Sequence, residues 1–108
     1  MKFFRIAIMV PLLSVAMPMQ GMAADTVVII KKMKFQPQVV TVKKGATVRW
    51  ENKEKRQYHS VWFEKLGEPE TDYFFPDESY QRRFDKVGEY PYRCGPHEEM
   101  TGVVRVVE

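Results

Sequence analysis

Beyond residue 24, apolar and polar positions alternate in short runs with a period of two, and no stretch keeps the 3.6-residue period of an amphipathic helix. Val40 and Val42 share a face between Thr41 and Lys43, and Val48 and Trp50 alternate against Thr47 and Arg49. The runs are β-branched or aromatic, and Gly, Pro and charged residues separate them, as turn residues separate strands. The pattern predicts strands over Thr26–Ile30, Val39–Lys43, Thr47–Glu51, Ser60–Phe63, Ser79–Asp85, Glu89–Arg93 and Gly102–Val107. About seven short strands at this spacing imply an all-β sandwich. Glu64–Glu78, which holds Gly67, Pro69 and Pro76, breaks the alternation. It reads as a long surface excursion with a turn of helix, acting as a lid that packs Phe74 and Phe75 onto the sandwich.

The N-terminal residues follow a different pattern. Lys2 and Arg5 precede an apolar run, Ile6 to Met17, that is short for a bilayer span, and Gly21-Met22-Ala23 places small residues at −3 and −1. Residues 1–23 are therefore expected to be a secretory signal peptide cleaved after Ala23. That leaves a domain over 24–108 with no membrane span, placed in the periplasm. Removing Lys2 and Arg5 lowers the formal charge from +3 to +1. A balance so close to neutral gives no reason to expect a nucleic-acid partner. With 44% hydrophobic and 29% charged residues the composition is that of an ordinary globular domain. A domain of about 85 residues has a thin stability margin, and exported domains of this size often add disulfides or a metal. The single Cys excludes an intrachain disulfide, so a metal is the next candidate.

The residues with metal chemistry gather near the C-terminus. Cys94, His97 and Met100 lie within seven residues, in a loop that Pro96 stiffens and Gly95 and Gly102 bound. His59 is the only other histidine, and Met33 and Met100 are the only methionines beyond the leader. Singly, each would more often be a packing residue. Jointly, two imidazoles, one thiolate and a weak thioether are the donor set that selects copper in an electron-transfer geometry. Zinc can also occupy two His and a Cys. A Cys–His nucleophile pair is disfavoured, because no orienting third residue is apparent and Glu98 and Glu99 are poor neighbours for a thiolate. Covalent haem attachment would need a second Cys.

With these residues in view, the chain resembles the cupredoxins, the small blue-copper proteins that include plastocyanin, pseudoazurin and amicyanin. The resemblance runs through Phe35-Gln36-Pro37 to Gly45, Val48-Arg49-Trp50-Glu51-Asn52, His59, and Val87-Gly88-Glu89-Tyr90-Pro91-Tyr92-Arg93-Cys94 with His97, Met100 and Gly102. The short Cys-to-Met loop is most similar to that of amicyanin. The resemblance implies a Greek-key β-sandwich binding one copper at one end through His59, Cys94, His97 and Met100. It further implies an exposed His97 as electron exit and a second route along Tyr92 or Arg93. Ser60 stands where the family commonly has Asn, with fewer hydrogen bonds to tie the ligand loops together. Glu98 and Glu99 put charge where the family's docking face is usually apolar.

Two functions fit. The first is a periplasmic one-electron carrier that docks redox partner proteins near His97, is a monomer and catalyses nothing. The alternative is a periplasmic copper-tolerance cupredoxin that binds or oxidises Cu(I).

Overall fold

In the computed structural model, which describes residues 24–108, seven strands form two sheets: β1 Thr26–Lys31, β2 Lys34–Gln36, β3 Val39–Lys43, β4 Thr47–Asn52, β5 Ser79–Arg83, β6 Gly88–Arg93 and β7 Thr101–Val107. The expected signal segment, 1–23, lies outside the described residues. One sheet has the order β2-β1-β4-β5, the other β3-β7-β6. β1 runs parallel to β4 and β3 parallel to β7, and the remaining pairs are antiparallel. This is the expected all-β sandwich.

Alternation decides which side chains face inward. Val28, Ile30, Val48 and Trp50 of the first sheet are buried, as are Val40, Val42, Val104 and Val106 of the second. Trp50 lies at the centre, with ring centroids 5.4 Å from Tyr92, 5.7 Å from Tyr80, 6.3 Å from Phe63 and 6.4 Å from Phe84. Its indole N–H donates to the Tyr92 hydroxyl at 3.1 Å. That bond satisfies two polar groups that burial would otherwise leave unpaired. A Cβ on Gly102 would overlap the Tyr92 ring, so Gly102 is what lets Tyr92 turn inward beside β7.

The parallel pairing positions the site. β1 and β4 end together, and the segments between β4 and β5 and between β6 and β7 collect at that same end. Lys44, Gly45 and Ala46 close the other end by bonding Val107, Phe84 and Lys43.

Two expectations differ from the structure. Ser60–Phe63 is not a strand: the chain makes single bridges, His59 to Phe74 and Trp62 to Arg93, while the Val61 N–H donates to Thr71 Oγ1. Its backbone partners change too quickly for a ladder, and its apolar character reflects burial of Val61 and Phe63. β2 went unread because three residues around one buried Phe35 carry no periodicity. The excursion does contain a turn of helix, the 3₁₀ turn Glu64–Leu66, which Gly67 ends at φ 78°. The lid is half correct: Phe74 is buried, but Phe75 is 50% exposed.

Candidate metal centre

His59 follows a loop that Asn52 organises. The fully buried Asn52 amide donates to the Gln57 and Phe74 carbonyls, and its Oδ1 accepts from the Glu54 N–H. Reciprocal backbone bonds with Phe74, at 3.1 and 2.9 Å, then fix His59 itself. The second ligand segment closes on itself. The Cys94 N–H donates to the Met100 carbonyl and the Met100 N–H to the His97 carbonyl, each at 2.9 Å.

The result is a preformed donor cluster. His59 Nδ1 and His97 Nδ1 each lie 3.5 Å from Cys94 Sγ, and one donor atom from each of the three residues falls within 4.8 Å of the others. Cys94 and His59 are fully buried, His97 is half-buried, and Met100 is buried at the end of the same loop. All four expected ligands thus lie at one end of the sandwich, three of them converging.

The surroundings prepare these groups for a metal. Burial lowers the His59 imidazole pKa, against the raising effect of Glu54, so the neutral ring is favoured. Glu54 Oε2 lies 3.1 Å from His59 Nε2 and accepts a hydrogen bond from it in the tautomer protonated at Nε2, which leaves Nδ1 with a free lone pair. Burial also pushes the Cys94 thiol up, while the Ser60 N–H, 3.4 Å from Sγ, opposes that shift. The thiol is therefore protonated at neutral pH and would have to lose its proton to bind a metal. Metal affinity should then rise about tenfold per pH unit around neutrality as that proton is displaced. Chelator competition across pH checks this, and a flat profile would mean that no thiol proton is released.

Ser60 ties the two ligand segments together despite its short side chain. Its hydroxyl accepts from the Gly95 N–H and donates to Glu70 Oε2, both at 2.8 Å. A Cβ on Gly95 would overlap the Glu70 carboxylate, so the glycine is a spatial requirement of this tie.

The sequence reading gives Asn52, Glu54 and Glu70 no role at the site. Glu54 lies in the run Lys53-Glu54-Lys55-Arg56, which reads as a solvated charge cluster, and nothing local marks its inward turn. Yet its side chain is only 10% exposed, and its carboxylate also accepts the Lys32 and Met33 N–H groups at 3.2 and 2.8 Å. Glu54→Ala should weaken metal binding by about 10–100-fold, the usual effect of losing a group that orients a metal-binding imidazole. Glu54→Gln, which keeps an acceptor, should lose less. Competition titration measures both, and wild-type affinity in Glu54→Ala would remove Glu54 from this role.

His97 borders an exposed aromatic group. Tyr58 stacks on Tyr73 at 4.8 Å, lies 5.5 Å from Phe75 and is 6.5 Å from the His97 ring. Glu98 and Glu99 are exposed. Of the residues before Cys94, Tyr92 points into the core, whereas the Arg93 guanidinium lies 4.7 Å from the Trp62 ring centroid and its Nε is 2.7 Å from Glu64 Oε1.

Residues 22–107 match the family described as copper binding proteins, plastocyanin/azurin family. The chain belongs to this family. It is 41% identical over 88 residues to amicyanin of Paracoccus versutus, covering 77% of this chain and 66% of that protein. It is 39% identical to amicyanin-alpha of Methylorubrum extorquens, covering 78% and 73%. The crystal structure of Paracoccus versutus amicyanin superposes with a TM-score of 0.69 at 35% identity, over 82% of this chain and 84% of that one. The cofactor is accordingly copper, one ion in a type 1 site. The donor set fits it: a soft buried sulfur beside two imidazole nitrogens, with the nearby Glu54 carboxylate engaged by the far nitrogen of His59.

Proposed function

We propose that this cupredoxin is a one-electron carrier, with His59, Cys94, His97 and Met100 as its copper ligands. The observation that carries the reading is the preformed cluster, with Cys94 Sγ 3.5 Å from both imidazole nitrogens. Bound copper would supply a one-electron Cu(I)/Cu(II) couple. Glu54, Asn52 and Ser60 brace the ligands from outside, so the donors need to move little between oxidation states. Small movement means a small reorganisation cost, which suits rapid exchange. Half-buried His97, 3.5 Å from the buried sulfur and with Tyr58 beside it, gives a way from that sulfur to solvent, and a redox partner would dock there. Arg93 on Trp62 offers the second route, while Tyr92 serves the core. Under this reading the chain is exported by cleavage after Ala23 into the periplasm, acts there as a monomer and performs no catalysis of its own.

Voltammetry of the copper-loaded protein should give one reversible one-electron wave. Copper that binds but does not cycle would point to storage. Deleting the gene separates the tolerance reading: loss of a respiratory activity with unchanged growth across copper concentrations is expected. Growth failure confined to high copper would replace the carrier with a tolerance role.

A further inference from the structure

The turn between β1 and β2 brings its charges against the loop that leads to His59. Lys31, Lys32, Lys53, Lys55 and Arg56 line one open concavity there, and all five are exposed. The one acid among them, Glu54, faces inward, its carboxylate taken by His59 and by the Lys32 and Met33 N–H groups. Those two residues hold left-handed backbone, at φ 55° and 59°, a conformation that side chains other than Gly, Asn or Asp rarely adopt. Glu54 thus fastens together two cationic segments and leaves their charge facing outward.

This charge is largely unneutralised. Among the described residues only Lys53 of the five is in an ion pair, at 3.7 Å from Asp77. Three acids of the excursion, by contrast, are engaged away from the lobe: Glu64 with Arg93, Glu68 with Arg82, and Glu70 with Ser60; Asp77 is the partner of Lys53, and Asp72 is exposed. On a domain whose overall balance is +1 without the leader, the concavity is a local positive lobe. The same loop continues into Tyr58, against His97, and the β1–β2 turn reaches Met100, since Met33, Lys34, Glu99 and Met100 line a common pocket. The lobe therefore stands at the metal end of the sandwich, where charge complementarity would steer a partner toward His97.

We infer that the Lys31–Lys32 and Lys53–Arg56 surface is the docking face for an acidic redox protein. This rests on the carrier reading and names the partner's chemistry. It reverses the sign that Glu98 and Glu99 suggest from sequence.

The test is stopped-flow oxidation of the Cu(I) protein by anionic hexacyanoferrate(III) and by cationic tris(phenanthroline)cobalt(III), with poly-L-glutamate as a stand-in for an acidic protein face. At low salt the anionic reagent should be the one accelerated, and salt should suppress the acceleration. Poly-L-glutamate should slow that reaction. The Lys31→Glu/Lys55→Glu/Arg56→Glu variant should oxidise about tenfold more slowly with the anion and faster with the cation, with its visible band unchanged. If that variant loses its band, the corresponding triple Gln variant should show the same changes at smaller amplitude. Rates that respond to neither salt nor charge reversal would overturn the inference while leaving the carrier reading intact. A response to hexacyanoferrate without one to poly-L-glutamate would reduce the surface to a small-anion site and also overturn it. A protein that neither reagent oxidises would refute the carrier reading itself.

Discussion

Cys94→Ser should abolish the intense visible absorption of the copper-loaded protein. That absorption requires a thiolate sulfur that can give up electron density to Cu(II), and Cys94 is the only cysteine in the chain. A serine hydroxyl has nearly the same shape but is a hard donor that stays protonated, so the substitution removes the chemistry and spares the packing. The fold should survive, because the backbone bond from the Cys94 N–H to the Met100 carbonyl is indifferent to the side chain. Circular dichroism of the metal-free variant should match wild type, which separates loss of ligation from loss of structure. A persistent band would exclude Cys94 as the ligand sulfur.

Trp50→Ala should remove most of the metal-free protein's stability. Trp50 is fully buried and packs near Phe63, Tyr80, Phe84 and Tyr92, residues contributed by strands of both sheets, the residue after β5 and the Ser60–Phe63 segment. Truncating a buried Trp costs about 3–5 kcal/mol. The Tyr92 hydroxyl would also lose its donor in a buried position, which adds about 1–3 kcal/mol. Small domains sit toward the low end of the usual range of about 5–15 kcal/mol, so the loss approaches the total. A fall in Tm on the order of 20 °C is expected for a domain of this size. Thermal denaturation of the metal-free protein measures it, with Trp50→Phe as the milder comparison. A shift of only a few degrees would show that the Trp50 cluster does not anchor the core.

The sandwich and the clustering of His59, Cys94 and His97 were legible in the sequence for different reasons. Strands such as Val39–Lys43 and Thr47–Asn52 bury one face, so their alternation is written directly into residue type. The donors were legible because Cys94 is unique and the histidines number two, leaving few ways to combine them. What stayed hidden depends on tertiary neighbours. Ser60–Phe63 is apolar like a strand but meets a different partner at almost every residue. Phe74 and Phe75 are adjacent and chemically identical, and only the path of the loop buries one and exposes the other. Glu54 looks like surface charge because the groups that capture its carboxylate include the backbone amides of a turn some twenty residues away. Ser60 gains its reach from Glu70, a partner that local spacing does not reveal.

X-ray absorption at the copper edge, on protein loaded with one equivalent and recorded in both oxidation states, addresses the ligand set most directly. Two imidazole nitrogens and one short thiolate sulfur around a single copper, nearly unchanged between the two states, is the predicted shell. A shell without a short sulfur, or one that rebuilds its coordination on reduction, would contradict a carrier site built from His59, Cys94 and His97.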